Sequence, residues 1–594
     1  MRIRKRDDDA QAVGKQRHAG AAVDTQAEVP PNLVRPVGWK PLGELVLQRK
    51  GVRQEQLSEA LLHQSATGKR LGRQLVELGL LGERDLAEVL AEQLGLPLVD
   101  LRSTTPTAEA LALVPDSFAR AHQCVPIAIE DGVVLVAVAE PTPEVLTQLQ
   151  GITGSAVRLG IASAGEVSRT VDNTYRSLDE IDKQVKVFEA SDAAVRRTVS
   201  RTEVVGDDAP VVKVVNMIIT QALRDRASDV HIEPQDHQVR VRFRIDGALH
   251  QALTLPDTMG SGLVSRIKIM AGMNIVERRR PQDGQIAMDV DGRSIDIRVA
   301  STGTVFGEKV VLRILDKTRS VYRLSDLGMP DDTHTAYSKL IHAPFGMVVC
   351  AGPTGSGKTT TLYASLSEIN DVQRNITTIE DPVEYVFPSI TQIQINEAAG
   401  VTFAGGLRSI LRQDPDVILV GEIRDVETGR IAIQSALTGH LVMSSLHATD
   451  AVSALYRFLD MGIEAFLVAS SVRAVIGQRL VRRICDYCRE PYQPTPAELN
   501  FYFEAGGTTK TRFSAGTGCN FCADTGYSDR IGVYELMQVT EEMRQLIVEP
   551  HPSHDELRAL AVKQGMRSLR EQAVELVNQD VTTISEVVRT IYTI

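Results

Sequence analysis

Short apolar runs separated by helical segments dominate the second half of the chain. Runs at 346–351, 417–420 and 441–446 are wholly or largely apolar, and a fourth segment at 376–384 ends in a cluster of carboxylates. Runs of this length bounded by polar turns are typical of parallel strands that helices cover on both faces. The pattern therefore predicts a doubly wound α/β domain, at 319–594, with ligands at the carboxyl ends of its strands.

A different period marks the region before this domain. Apolar residues alternate with arginine at 239–245, and a similar alternation returns at 295–299 and 310–315. The dipeptide Asp246-Gly247 is a hairpin turn signal. We expect a mixed or antiparallel sheet with one arginine-rich face, in a domain at 208–318. That face is either a solvated basic surface or a surface that contacts phosphate.

A repeat offset by 29 residues organises the N-terminal region. The copies at 41–64 and 70–93 contain the related motifs L-G-x-x-V and L-G-x-x-L, and each also has a glycine that can end a helix and a second segment with leucines four residues apart. The repeat predicts two helix–turn–helix units in a domain at 40–175, in which 133–138 is a strand. A duplicated helical bundle without a ligand explains this pattern as it stands.

The remaining stretches are polar. We expect 1–39 to be a disordered tail and 176–207 to be a linker between domains. The first residues are charged and no apolar segment follows them, so we expect no secretory signal. No run of 18 apolar residues occurs, so we expect no membrane span. These features predict a cytoplasmic protein.

Composition narrows the function classes. The 594 residues carry a net charge of −11, with 4% aromatic residues and a single Trp. General nucleic-acid binders need a basic surface or aromatic stacking platforms. We therefore expect no direct nucleic-acid partner.

The segment 352–359 reads G-x-x-x-x-G-K-T and lies between an apolar run and a helical segment, as a phosphate-binding loop requires. Its glycines let backbone N–H groups face phosphate oxygens, Lys358 can reach the β- and γ-phosphates, and the Thr359 hydroxyl can bind Mg²⁺. A chance glycine-rich turn is the alternative. The residues expected to bind the nucleotide at this loop are Gly352, Pro353, Thr354, Gly355, Ser356, Gly357, Lys358, Thr359 and Thr360.

Acidic and histidine side chains follow or flank the later strands. Glu422 comes shortly after the run 417–420, where an acid can hold Mg²⁺ or orient the attacking water. His440 and His447 flank the run 441–446, and we include both among the nucleotide-contacting candidates. A hydrogen-bonded structural histidine explains either one taken alone.

Two C-x-x-C pairs predict a metal site. Cys485 and Cys488 are separated by 30 residues from Cys519 and Cys522. Four thiolates satisfy tetrahedral Zn²⁺ and leave no open position, so the metal would be structural. Disulfides are the alternative, which the expected cytoplasmic setting disfavours.

Four blocks together resemble the secretion ATPase superfamily: the phosphate loop, the acidic segments 378–384 and 419–425, and the histidine segment 438–450. The resemblance implies a RecA-like P-loop ATPase domain, preceded by a smaller PAS-like α+β domain and an N-terminal helical and α+β domain. It also implies a homo-hexamer, with the nucleotide between the arginine-rich domain and the ATPase domain.

The resemblance also suggests residue roles. Arg298 and Arg313 match the arginines that reach the nucleotide phosphates in the superfamily. Glu384 and Glu422 are the candidates for activating the attacking water. We favour Glu384 as the base and Glu422 for Mg²⁺ and water positioning, and the sequence leaves this division open. If the arginines arrive by domain rotation, hydrolysis and movement become coupled.

The N-terminal repeat resembles the N-terminal domain of type II secretion and type IV pilus ATPases, one version of which binds cyclic di-GMP through two 24-residue motifs. The spacing matches here, but Pro41 stands where the first motif has arginine. An arginine there would pair with phosphate or stack on guanine. A purely structural or partner-docking domain is the alternative. The residues that the resemblance assigns to cyclic di-GMP are Leu42, Gly43, Gln64, Arg70, Leu71, Gly72 and Gln93.

Taken together, the sequence predicts an ATP hydrolase that drives assembly of a type IV pilus or a type II secretion pseudopilus. By resemblance, the hexamer would dock on an inner-membrane platform protein and so lie peripherally at the membrane. In the superfamily that the chain resembles, the four-cysteine module and the long N-terminal domain occur in assembly and secretion ATPases and are generally missing from retraction ATPases, so the resemblance favours assembly or secretion. A DNA-translocating, conjugative-type ATPase and a non-hydrolysing regulatory subunit are the alternatives. Pilus and secretion roles are not separated.

Overall fold

The computed structural model describes residues 39–175, 181, 183–188, 209–291, 293–316, 323–508, 510, 512–523, 525–550 and 552–592. The chain divides into two compact units, Met1–Val171 and Asp172–Ile594. The predicted tail lies outside the described residues except for Trp39, and so does the predicted linker except for 181 and 183–188.

The repeat folds as two successive helix–turn–helix units, as the sequence predicts. These L-G segments start the first helix of each unit, and a Cβ at Gly72 would lie 2.8 Å from Leu86 Cδ1, so a larger residue there would require the Leu86 side chain to shift. A small sheet follows, with β1 antiparallel and β3 parallel to the central β2. The elements are α1 Leu42–Arg49, α2 Gln54–Thr67, α3 Leu71–Glu77, α4 Glu83–Leu94, α5 Ala108–Leu111, α6 Asp116–Ala121, β1 Cys124–Glu130, β2 Val133–Val138, α7 Pro143–Thr153, β3 Ala156–Ile161 and α8 Ala164–Thr174.

The second unit begins with a six-stranded, wholly antiparallel sheet in the order β6-β5-β4-β9-β8-β7. Its apolar face packs on two helices, because the strands alternate between apolar and polar residues. The other face carries the arginines, so the predicted arginine-rich face is confirmed. The elements are α9 Pro210–Arg224, β4 Asp229–Pro234, β5 Gln238–Ile245, β6 Ala248–Pro256, α10 Gly260–Met270, β7 Gln282–Val290, β8 Arg293–Thr304 and β9 Gly307–Asp316.

A seven-stranded sheet follows in the order β12-β11-β13-β14-β10-β15-β18, in which only the β15–β18 pair is antiparallel. The central strands are buried on both faces, which explains why their sequences are continuously apolar. The predicted doubly wound domain is therefore present. Its first elements are α11 Asp331–Ile341, β10 Gly346–Ala351, α12 Lys358–Ile369, β11 Ile376–Glu380, β12 Thr391–Gln394, α13 Phe403–Ile410, β13 Val417–Val420, α14 Val426–Leu437 and β14 Leu441–Leu446.

The last part of the chain closes the edge of this sheet. The cysteine module, with its own two-stranded sheet of β16 and β17, is inserted between β15 and β18. Among the described residues, no helix has the length and apolar character needed to cross a membrane. The elements are α15 Ala451–Asp460, α16 Ala465–Ser471, β15 Val472–Ile484, β16 Arg489–Tyr492, α17 Pro496–Glu504, β17 Phe513–Gly516, β18 Tyr527–Gln538, α18 Glu541–Val548, α19 His554–Lys563, α20 Leu569–Asn578, α21 Ile584–Val587 and a π-helix at Val588–Tyr592.

Candidate nucleotide-binding site

The phosphate loop connects β10, inside the large sheet, to the N-terminus of α12. Gly355 and Gly357 have φ values of 78° and 89°, a conformation that favours glycine. A Cβ on Gly352 would lie 2.7 Å from the Gln478 carbonyl oxygen, so glycine is also needed where the loop passes β15. The loop therefore turns tightly at a helix N-terminus, the arrangement that binds phosphate.

Lys358 begins α12 and turns back over the loop. Its Nζ donates hydrogen bonds to the carbonyl oxygens of Gly352, at 2.9 Å, and Pro353, at 3.1 Å. Burial lowers the pKa of Lys358, Arg479 lowers it further, and the charge of Glu422 opposes both effects. The buried Ser356 hydroxyl has no hydrogen-bond partner in the described part of the chain. A buried ammonium group and a spare hydroxyl at this loop fit a phosphate group.

Glu422, Arg424 and His447 form a cluster near the loop. His447 Nε2 lies 3.2 Å from Glu422 Oε2, and Arg424 donates to the other carboxylate oxygen. Arg424 also lies 3.9 Å from the Asp381 carboxylate, so it links the segments that follow β11 and β13. The sequence placed Glu422 and His447 at strand ends, and the structure joins them directly.

Magnesium would find oxygen ligands at this cluster. Thr359 is exposed on the first turn of α12, and the Glu422 side chain keeps 16% of its surface exposed. One hydroxyl and one carboxylate suit Mg²⁺, which usually keeps several waters and binds substrate phosphates. The residues present therefore fit the metal that the sequence predicts.

His440 does not join this cluster in the chain. It precedes β14, and its carbonyl oxygen accepts the Gly346 N–H at the start of β10, whereas the phosphate loop follows the end of β10. Its ring Nδ1 lies 3.0 Å from the Ser435 carbonyl oxygen. A six-residue strand separates His440 from His447 by about 20 Å, so the structural interpretation describes His440 better within one chain.

Arg298 and Arg313 face each other across β8 and β9 on the polar side of the small sheet. Arg313 Nε donates to Asp229 at 3.0 Å, although its side chain stays 60% exposed. Within the described residues, no hydrogen bond or ion pair joins either arginine to 352–359. Arg313 therefore bonds within its own sheet in this structure.

Carboxylates of the same sheet neutralise much of the positive charge on the rest of the arginine-rich face. Glu233 accepts hydrogen bonds from Arg240 and Arg242 and pairs with Lys309 at 2.9 Å. Against the opposing effect of burial, Arg242 and Lys309 hold the pKa of Glu233 down at about 2. Much of the basic charge predicted for phosphate contact is therefore used inside the sheet.

The small sheet contacts the start of β18. Arg226 Nη1 donates to Asp529 at 2.7 Å, and the Asp529 N–H donates to Asp246 at 3.1 Å. Asp246 is in the predicted hairpin turn, and its carboxylate lies 3.7 Å from Arg530. These exposed pairs are individually weak, so they permit movement of the small sheet.

Three residues near the site were missed by sequence reasoning. Gln478 Nε2 donates to the Ser356 carbonyl oxygen at 2.7 Å, and buried Arg479 donates to the Thr449 carbonyl oxygen at 2.7 Å. Tyr363 bonds the segment that carries Glu384. All three lie in apolar segments that read simply as a strand or a helix, so the sequence contains no local signal for them.

The four cysteines of the two C-x-x-C pairs converge, with all Sγ atoms within 4.8 Å of one another. The Sγ–Sγ distances for Cys485–Cys519, Cys488–Cys522 and Cys519–Cys522 are each 3.8 Å. A disulfide needs about 2.05 Å, and the cysteines are free. Zn–S bonds of about 2.3 Å in a tetrahedron put sulfurs about 3.8 Å apart. The cluster therefore fits a structural zinc and not two disulfides.

In the N-terminal unit, the positions equivalent in the two repeats have the same backbone. Pro41 precedes α1 with φ −58° and ψ 146°, and Arg70 precedes α3 with φ −66° and ψ 146°. The Arg70 guanidinium lies 3.1 Å from the Glu140 carboxylate. Gln93 Nε2 donates to the Lys40 carbonyl oxygen at 3.1 Å. The remaining predicted residues lie in the helices that the two motifs form: Leu42 and Gly43 in α1, Gln64 in α2, and Leu71 and Gly72 in α3.

The chain is similar to known proteins over most of its length. The family described as Type II/IV secretion system protein matches residues 205–589, and the MshEN domain matches residues 94–181. The chain is 38% identical to the type IV pilus assembly ATPase PilB of Myxococcus xanthus, over 92% of this chain and 98% of that protein. It is 37% identical to the type II secretion system protein E of Xanthomonas campestris pv. campestris, over 92% of this chain and 97% of that protein. A solved structure of MshE with cdg is 30% identical, covering 22% of this chain and 97% of its own, with a TM-score of 0.21.

Proposed function

Because the chain belongs to the family of type II/IV secretion system proteins and is an ATPase of that family, we propose that it hydrolyses ATP to drive assembly of a type IV pilus or a type II secretion pseudopilus. The observation that carries this proposal is the joining of Lys358, Glu422 and His447 beside one phosphate loop. Phosphoryl transfer needs charge neutralisation and positioning more than covalent chemistry, and these residues supply both.

Within this reaction, residues of the chain have separate roles. The loop and Lys358 bind the β- and γ-phosphates, and Thr359 and Glu422 hold Mg²⁺, which neutralises phosphate charge when it is bound. Glu384 takes the proton from the attacking water. His447, hydrogen-bonded to Glu422, keeps that carboxylate in place. The role of His440 as a nucleotide-contacting residue is supported only by the sequence motif.

The arginines of the small sheet complete the site only after movement. Arg298 and Arg313 lie on an exposed polar face and are not bonded to the loop. We propose that the small sheet rotates, about weak contacts such as Arg226–Asp529, to bring them to the phosphates. A homo-hexamer lets such a rotation move a neighbouring subunit and do mechanical work.

A phosphate-release assay on the purified full chain tests the enzyme activity. We expect Mg²⁺-dependent release of phosphate from ATP, lost in Lys358→Ala. Release no faster than in that variant would contradict the proposal and support a non-hydrolysing subunit. Salt-sensitive DNA binding by the same preparation would support a DNA-translocating ATPase instead.

The setting follows from the family and from the secretion role. We propose a cytoplasmic hexamer that is held at the inner membrane by a platform protein and binds no nucleic acid directly. The identities to a pilus ATPase and to a secretion ATPase, 38% and 37%, are too similar to favour either pathway. Deletion of the gene, followed by assays of pilus-dependent motility and of exoprotein secretion, decides between them.

The accessory sites extend this proposal. We assign structural Zn²⁺ to the four-cysteine cluster. For the N-terminal unit we propose weak cyclic di-GMP binding, through Arg70 and the helix starts of both motifs, because Pro41 provides no guanidinium group. Isothermal titration with cyclic di-GMP tests this, and absence of heat at high ligand concentration would favour a docking domain.

A further inference from the structure

A buried tyrosine connects the phosphate-loop helix to the segment that carries Glu384. Tyr363 lies on the second turn of α12 with 2% of its surface exposed. Its hydroxyl donates to the Glu380 carboxylate and accepts the backbone N–H of Glu384 at 3.1 Å. One oxygen atom therefore bonds both the last residue of β11 and the proposed catalytic base.

Glu380 determines the direction of this hydrogen-bond relay. Its carboxylate is buried, with 4% of the residue exposed, and it also accepts from Thr378 Oγ1 at 2.5 Å and Gln392 Nε2 at 3.3 Å. A buried carboxylate requires such donors, since an unpaired one costs several kcal/mol. Burial and the neighbouring Glu380 raise the pKa of Tyr363, so the phenol keeps its proton. The phenol O–H therefore donates its hydrogen bond to Glu380, and a lone pair on the same oxygen accepts the Glu384 N–H.

The segment 381–387 has no regular secondary structure and depends on such anchors. Gln392 accepts the Phe387 N–H at 2.8 Å and donates to the Tyr385 carbonyl oxygen at 2.9 Å. The Tyr363 ring packs edge-on against Phe387, with centroids 5.3 Å apart. Gln392 anchors the segment to β12, whereas Tyr363 anchors it to the helix that begins at the phosphate loop.

We propose that Tyr363 and Glu380 are positioning residues for hydrolysis, which fix the Glu384 backbone relative to the phosphate loop. The inference rests on the proposed role of Glu384 as the base. A general base must lie within hydrogen-bond reach of the water that it activates. Misplacement by about 1 Å can cost about a hundredfold in rate, so a direct link from the loop helix to this backbone has a catalytic use.

The test is Tyr363→Phe, which removes only the hydroxyl. In the full chain we expect kcat to fall by about tenfold to a hundredfold. We expect KM for ATP, and Kd for a fluorescent ATP analogue, to change less than about twofold, because the loop itself is intact. Amide hydrogen exchange at 381–387 should accelerate.

A matched control is a tyrosine on α11 whose hydroxyl contacts the same helix α12. Tyr337 is fully buried, and its hydroxyl bonds Ser365 Oγ on α12 at 2.9 Å, without contact to Glu384. Tyr337→Phe should lower stability by a similar amount and leave kcat within about twofold. An equal loss of kcat in both variants would mean that any buried hydroxyl in contact with α12 affects the rate, and the proposal would be wrong.

A double mutant separates positioning from general weakening. If Tyr363 acts through Glu384, Tyr363→Phe should have little further effect on kcat in a Glu384→Gln background. Fully additive losses in kcat would overturn the inference that Tyr363 acts through Glu384, and Glu384 would remain the proposed base. Parental activity in Glu384→Gln alone overturns the role of Glu384, a failure of the proposed function that this comparison distinguishes.

Glu380→Gln provides a second route if Tyr363→Phe does not fold. The amide keeps the volume but has one acceptor oxygen for the donors that the carboxylate serves, so the relay loses a partner. The same fall in kcat at constant KM is expected. An unchanged kcat in Glu380→Gln would contradict the proposal.

Discussion

Removing one zinc ligand should open the insert between β15 and β18 without disrupting the nucleotide-binding sheet. Cys485 directly follows β15, and its N–H donates to the Gly526 carbonyl oxygen, so strand pairing persists up to the cluster. Bound zinc would tie Cys485 and Cys488 to Cys519 and Cys522, in addition to the β16–β17 pairing and the Thr517 N–H that donates to the Cys488 carbonyl oxygen. In Cys485→Ser, the insert should lose this tie and the sheet should keep its pairing.

The size of the effect follows from the loop that the metal closes. Thirty residues separate Cys488 from Cys519, and closing a loop of this size is worth about 4 kcal/mol at 25 °C in the chain-entropy treatment. The unit Asp172–Ile594 has about 420 residues, and at roughly 2.1 cal/mol/K per residue its unfolding entropy is large. Loss of the tie should therefore lower its Tm by only about 5 °C.

Three measurements check this prediction. Elemental analysis should find about one zinc per parental chain and much less in Cys485→Ser. Limited proteolysis should cut the variant within 489–518 and spare the parental protein, and calorimetry should give the Tm shift. Cys124→Ala, which removes a buried cysteine of β1 outside the cluster, is the control and should keep its zinc. A parental chain without zinc, or a Cys485→Ser chain with full zinc and unchanged cleavage, would refute the reasoning.

The other predictions concern the active site, the N-terminal unit and acid stability. Glu422→Gln should lower kcat by about 100- to 1,000-fold, because the lost charge acts mainly in the transition state. Nucleotide binding, measured with a fluorescent ATP analogue, should persist. Weaker binding with an unchanged kcat would contradict this prediction. Pro41→Arg should strengthen cyclic di-GMP binding about tenfold in titration calorimetry, because a charge-assisted hydrogen bond is worth about 1.5–3 kcal/mol. The backbone at Pro41 can present an arginine, since Arg70 has the same backbone conformation at the equivalent position. Unchanged binding would favour a docking domain. Against the opposing effect of burial, Arg242 and Lys309 hold the pKa of Glu233 down at about 2. The stabilisation from this carboxylate is therefore present above about pH 4.5 and is lost as the pH falls toward 2. Glu233→Gln should reduce the dependence of Tm on pH in that window, and an equally steep fall of Tm in acid would argue against this role.

Local sequence was sufficient wherever a signal is contained in neighbouring residues. The strands Gly346–Ala351, Val417–Val420 and Leu441–Leu446 have the bounds of their apolar runs, because strands buried on both faces need apolar side chains throughout. The spacing of the four cysteines likewise predicted a cluster, because each C-x-x-C turn holds two thiolates close enough together to bind one metal ion. The position of His440 also follows from local sequence, since it precedes the strand that His447 follows.

What the sequence by itself determined is therefore the central strands of the large sheet, the phosphate loop and the four-cysteine cluster, all of which depend on short-range pattern. Only the tertiary structure decided which distant side chains meet. Gln478 reaches Ser356 from 122 residues away, and the Tyr363 hydroxyl on α12 meets both the last residue of β11 and the Glu384 backbone. Strand register, and not composition, gave Glu233 and Asp229 their arginine partners. The physical reason is that burial and hydrogen bonding act between neighbours in space, and one chain brings them together only by folding.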